Sequence, residues 1–125
     1  MTWEERQRII EEIVQELNKR EEIVLAVLHG GFLTSQVFRD IDIAVYTEHT
    51  VPPQQEPQYI DELREQLEKK IKQPVDIQLL DYAPPTFQQK ALQGKILIER
   101  KPGIRAILLH HAKEEVRRLN KVRSL

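Results

Sequence analysis

Apolar residues recur at helical spacing from the start of the chain. Trp3, Ile9, Ile10, Ile13, Val14 and Leu17 follow a Thr2–Glu5 capping box, so residues 2 to 20 are expected to form an amphipathic helix. The pattern then changes. "EIVLAVLHG" is a short apolar run rich in β-branched residues and ending in glycine, which predicts a buried strand from about Ile23 to Leu28, closed by Gly30 and Gly31. "FLTSQVF" suits a helical turn, and "DIDIAVYT" alternates as a second strand does. Residues 48 to 57, "EHTVPPQQEP", form a polar, proline-rich loop. A step of about four from Tyr59 or Ile60 through Leu63 and Leu67 to Ile71 predicts a second long helix, supported by Glu65–Lys69 and Glu68–Lys72 pairs and ended by Pro74. "VDIQLL" is a third strand, "PPTFQQKALQG" a helix with proline at its start and Gly94 at its stop, and "KILIE" a fourth strand. After a "KPG" turn, Ile104 to about Val122 is helical, with Leu108, Ala112, Val116 and Leu119 on one side. Strands alternating with helices predict an α+β, α/β-like fold: a small mixed sheet of about four strands covered by helices.

At 125 residues the chain is read as one domain, residues 1–125. With 40% hydrophobic and 31% charged residues and a formal net charge of -1, it belongs with folded globular proteins, and no global charge attracts nucleic acid. No cysteine is present, which excludes disulfides, thiolate metal sites and a thiol nucleophile. The N-terminus "MTWEERQRIIEEI" lacks the apolar core of a signal peptide, and no apolar run approaches the roughly 18 residues of a membrane span. A cytoplasmic protein with no membrane role is expected.

The chemistry lies in "HGGFLTSQVFRDIDIAVY". A strand that is half-buried carries acids at a cost of several kcal/mol unless a cation or donors meet them. Side chains two apart in a strand share a face, so Asp40 and Asp42 form a pair while Ile41 and Ile43 point to the other side. In "QPVDIQLL", Asp76 is likewise opposite its apolar neighbours, and if the second and third strands are adjacent the three carboxylates converge. Such a cluster repels itself and becomes favourable when divalent cations neutralise it. Hard oxygen ligands select magnesium or manganese, and two metals so held can clamp an in-line phosphoryl displacement. Gly30 and Gly31 lie between a strand and a short helix, where bare backbone N–H groups can approach a triphosphate. The blander alternatives are a strand-entry turn with an exposed edge acid, a surface position for Asp76, and glycines that merely turn the chain.

With Gly30-Gly31, then Asp40-Ile41-Asp42 on a strand, then Asp76 on the next, the sequence resembles the minimal nucleotidyltransferases of the DNA polymerase β superfamily. "FQQKALQGKILIER" is similar to that family's ending of helix, glycine and short strand, so the resemblance covers most of the chain. It implies a polymerase β-type nucleotidyltransferase fold and magnesium-dependent transfer, with AMP from ATP the expected group. Asp40 and Asp42 would bind both metals; Asp76 would bind the catalytic metal and help activate the acceptor hydroxyl. Two positions depart from the family: Gly31 stands where it has serine, and Arg39 where it commonly has Ser or Thr. The missing hydroxyl removes one phosphate or metal-shell contact, for which Ser35 or Thr34 is a substitute. The resemblance also implies an antitoxin acting beside a helical HEPN-domain toxin and adenylylating a tyrosine on it. A contrasting expectation is a weakened module that neutralises its partner by contact alone, and a third is a plain scaffold. Homo-oligomerisation is left open.

The remaining motifs draw structural readings. His29, His49, His110 and His111 lack zinc-like spacing. The basic end from Lys113 to Arg123 is interrupted by Glu114 and Glu115, and positive charge near a helix C-terminus is ordinary, so RNA is not the expected partner. Trp3 and the tyrosines are read as core or interface residues.

Overall fold

The computed structural model describes residues 1–123. Helix α1 (Trp3–Asn18) starts at the expected capping box: Glu5 N donates to Thr2 Oγ1 at 3.1 Å and Thr2 N to the Glu5 carboxylate at 3.3 Å. These bonds satisfy N–H groups that a helix start leaves without intrahelical acceptors. The inner face differs from the expected stripe in its first turn. Trp3 is 56% exposed, and Arg6 lies inside with Ile10, Ile13 and Leu17.

Strand β1 (Leu25–His29) begins later than the apolar run because Ile23 closes a turn on the Arg20 carbonyl, although Val24 N already donates to Tyr46 O at 2.9 Å. After the single turn of α2 (Gly31–Thr34) comes β2 (Ile41–Tyr46), so Asp40 stands just ahead of the strand. The proline-rich connection is more ordered than a loop: a 3-10 turn at Pro53–Gln55 runs straight into α3 (Glu56–Ile71). Pro57 is tolerated there because the first helical turn has N–H groups to spare. Lys72 ends α3 in a left-handed conformation, and Glu68 reaches Val75 N at 2.8 Å instead of pairing with Lys72. The rest is β3 (Val75–Leu79), a 3-10 turn at Leu80–Tyr82, α4 (Pro85–Ala91), β4 (Lys95–Glu99) and α5 (Ile104–Arg123).

The four strands form one mixed sheet in the order β3-β2-β1-β4, with β1 antiparallel to β2 and β4, and β2 parallel to β3. This is the α+β architecture that the alternation predicts. Because strand side chains alternate, the sheet has two differently used faces. Ala26, Leu28, Ile41, Ile43 and Ile77 pack under α1 and α3 with Ile13, Leu17, Leu63 and Leu67. Leu25, Val27 and Ala44 pack under α4 and α5 with Leu80, Ala91 and Leu92. Gly94 lets the turn before β4 pass against the Leu28 carbonyl, a space that a Cβ would enter. None of the described helices is long and apolar enough to cross a membrane.

Candidate active site

The alternation of β2 sends Ile41, Ile43 and Val45 into the α1–α3 core and turns Asp42 and Ala44 to the other face. The parallel register then sets Asp42 beside Asp76 and Ala44 beside Gln78. The α4–α5 cluster packs on Leu25, Val27 and Ala44, so it covers only one end of this face. At the other end a carboxylate oxygen from each of Asp40, Asp42 and Asp76 lies within 4.8 Å of the other two. Asp40 and Asp42 are half-buried, and Asp76 is exposed.

Burial, followed by the charge of Asp40, pushes the Asp42 carboxyl above its ordinary range; Asp76 adds to this and His29 opposes it. Crowded oxygens that hold a proton too readily are what a hard divalent cation relieves. The donor set is all oxygen and fits magnesium or manganese.

Gly30 borders the acids directly. Its φ of 79° lies in the left-handed region, and a Cβ there would collide with the Asp42 carboxylate, so the position is restricted to glycine twice over. Gly31 carries neither restriction: a Cβ would make ordinary contacts with Ser35 Cβ at 3.6 Å, Val37 O at 3.7 Å and Phe38 Cβ at 3.9 Å. Ser35 closes the α2 turn, its N donating to Gly31 O at 2.8 Å and its hydroxyl accepting from Val37 N at 3.3 Å. That hydroxyl is therefore engaged within its own loop. Thr34 and Arg39 are exposed.

Arg6 was invisible as a site residue in the sequence. Its guanidinium donates to the carbonyls of Phe32 (2.8 Å), Ser35 (2.6 Å) and Gln36 (2.8 Å), and lies over the rings of Trp3, Phe32 and Phe38. The rigid fork suits three carbonyls turning around one point. Thus α1 holds the loop that follows the glycines. His29 pairs with Asp42 across the β1–β2 ladder and shares a hydrogen bond of 2.9 Å with Gln78 across Ala44, while Phe87 meets its ring edge-on at 5.7 Å. The remaining histidines lie elsewhere: His49 meets the Tyr46 and Tyr82 rings edge-on, and His110 and His111 are on α5. A basic cleft of about 550 Å³ between α1 and α3, lined by Lys19, Arg20, Lys69 and Lys70, is on the opposite side of the sheet from the acids.

Comparison of the sequence with curated proteins finds no match. Among solved structures, the chain is similar to the toxin–antitoxin complex MntA–HepT, with TM-score 0.75 and 21% identity over 94% of this chain and 92% of that one. It is also similar to an MNT antitoxin in complex with a tri-AMPylated Shewanella oneidensis HEPN toxin, with TM-score 0.76 and 21% identity over 95% and 92%. A toxin–antitoxin structure with AMP-PNP gives TM-score 0.77 and 21% identity over 92% of each chain. At such identities the likeness speaks for the fold. The family model described as polymerase beta, nucleotidyltransferase, matches residues 11–103, a span that contains the glycine turn and all three acids. The chain belongs to the polymerase β nucleotidyltransferase family.

Proposed function

We propose that the protein is a magnesium- or manganese-dependent nucleotidyltransferase that moves AMP from ATP to a protein hydroxyl. The observation that carries this reading is the convergence of Asp40, Asp42 and Asp76 within 4.8 Å beside a glycine turn. Asp40 and Asp42 would hold both metals and Asp76 the catalytic one; when bound, the metals supply charge neutralisation for a phosphoryl transfer. The backbone at Gly30 and Gly31 offers N–H groups to the triphosphate, with Thr34 and Ser35 the hydroxyls nearest in sequence. In the transfer the acceptor oxygen bonds to the α-phosphorus, the α–β anhydride bond breaks and pyrophosphate leaves. Asp76, the exposed acid of the three, takes the acceptor proton.

The family and the all-oxygen donor set support the activity. The structural neighbours include a HEPN toxin bearing AMP groups beside its MNT antitoxin, which supports a HEPN-domain acceptor, an antitoxin role and a cytoplasmic setting for this chain. Incubating the purified protein with labelled ATP, magnesium and a HEPN-type partner should label the partner, and Asp42→Asn should abolish the labelling. Partner left unlabelled by the wild-type protein overturns the reading. One observation favours a second reading, a module that neutralises its partner by contact: position 31 offers no hydroxyl to the phosphates. Neutralisation by the Asp42→Asn protein would establish it.

A further inference from the structure

Resting on the proposed transfer to a protein hydroxyl, the geometry points to a docking site for the acceptor: an extended segment, bearing the receiving hydroxyl, that pairs with the free edge of β3. This strand is the last on its side of the sheet. Ile41 N donates to the Pro74 carbonyl, whereas Val75 N donates away from β2 to Glu68. Backbone groups alternate in direction along a strand, so Ile77 and Leu79 aim theirs to the same free side as Val75. A groove of about 490 Å³ runs there. Ile77, Gln78 and Leu79 all line it although their side chains alternate between faces, so it follows the strand's edge and neither face alone. Ile60 on α3 and Phe87 on α4 wall it on the two sides. Tyr82 also lines it, fixed by donating to Val51 O at 2.6 Å.

Two further observations favour a polypeptide in that slot. Sheet edges are ordinarily blunted by lysine, bulges or a covering element. The β4 edge has two of these, Lys95 and a register shift against β1 at Ala26/Val27, while a helix packs on each outer strand, α1 on β4 and α3 on β3. The β3 ladder is regular, and its one charge, Asp76, belongs to the acidic cluster. Second, the groove leads to the acids, because Gln78 shares the face of Asp76 at about 7 Å along the strand. A segment paired with residues 77–79 would run beside the carboxylate that takes the acceptor proton. Added-strand recognition supplies affinity through the main chain and specificity through side-chain pockets, which leaves a small domain free of any separate acceptor cavity.

Amide hydrogen exchange of the full chain, with magnesium and a non-hydrolysable ATP analogue, tests this when the HEPN-type acceptor protein is added. Pairing should slow the Ile77 and Leu79 amides at least tenfold, while the Asp76 and Gln78 amides, already directed to β2, change little. Acceptor bound with the Ile77 and Leu79 amides unchanged overturns the proposal. Ala83→Arg, which places a long side chain at the half-buried rim, should raise the acceptor KM at least tenfold, and its magnesium–ATP melting shift reports whether it folds. An unchanged acceptor KM overturns the proposal too. If the wild-type protein labels no acceptor, the transfer reading itself has failed; labelling with an unprotected edge means that only the docking site is wrong.

Discussion

Asp42 is the residue where the fold and the chemistry disagree most. Burial and the neighbouring Asp40 raise its pKa, so the folded state holds this proton more tightly than the unfolded chain does. Its contribution to stability is therefore greatest at low pH and is lost as pH rises through the raised value. Asp42→Asn should accordingly melt higher than the metal-free wild type at neutral pH, and the gain should shrink on acidification below the ordinary aspartate pKa of about 4. Thermal melts across pH check this; a variant that melts lower at neutral pH would show Asp42 to be structural. The left-handed residue is Gly30, and the surroundings of Gly31 are ordinary van der Waals contacts, so Gly31→Ser should keep the melting temperature. One hydrogen bond to a charged phosphate is worth about 1.5–3 kcal/mol, so transfer should rise roughly ten- to a hundredfold if the hydroxyl acts in the transition state. Unchanged kinetics would mean that residue 31 faces away from the nucleotide.

Helix α1 shows what hydrophobic periodicity reaches and what it misses. The i, i+3, i+4 stripe placed Ile10, Ile13 and Leu17 inside, because the hydrophobic effect acts on every such position alike. It also included Trp3, which is 56% exposed, and passed over Arg6, which is buried because three carbonyls 26 to 30 residues away hold it. No local pattern carries that information. Asp81 is a similar case. Its buried carboxylate accepts from Thr47 N, Thr47 Oγ1 and His49 N, holding a turn in which Glu48 and His49 both adopt positive φ. The acids of the candidate site were legible for a physical reason: a carboxylate in an apolar strand is costly, and period-two alternation tells which face it shares. What α1 does for the site can be measured. Removing the guanidinium leaves carbonyls without donors in the loop after the glycines, so Arg6→Ala should cost about 3 kcal/mol and weaken magnesium–ATP binding. Arg6→Lys should recover little, since one ammonium cannot reproduce the fork. Wild-type melting in both variants would show that the loop is held by other means.

In the molecule as a whole, two of the four strands and one loop bring the three carboxylates and the glycine turn together, so under the proposed function cation and nucleotide would bind the folded chain and find no comparable site in the unfolded one. Such a ligand stabilises by mass action, by about 2.7 kcal/mol at a hundred times its Kd. For a domain of this size that corresponds to a rise of roughly 10 °C in melting temperature. Magnesium with ATP should produce this shift in the full chain. ATP without metal should produce much less, because the triphosphate then meets three uncompensated carboxylates. Replacing both Asp40 and Asp42 by asparagine separates the site from nonspecific binding: the double variant should fold, melt at or above the metal-free wild type, and lose the shift. A shift that survives in the double variant would place the nucleotide elsewhere on the molecule, with the basic cleft between α1 and α3 as the next place to look.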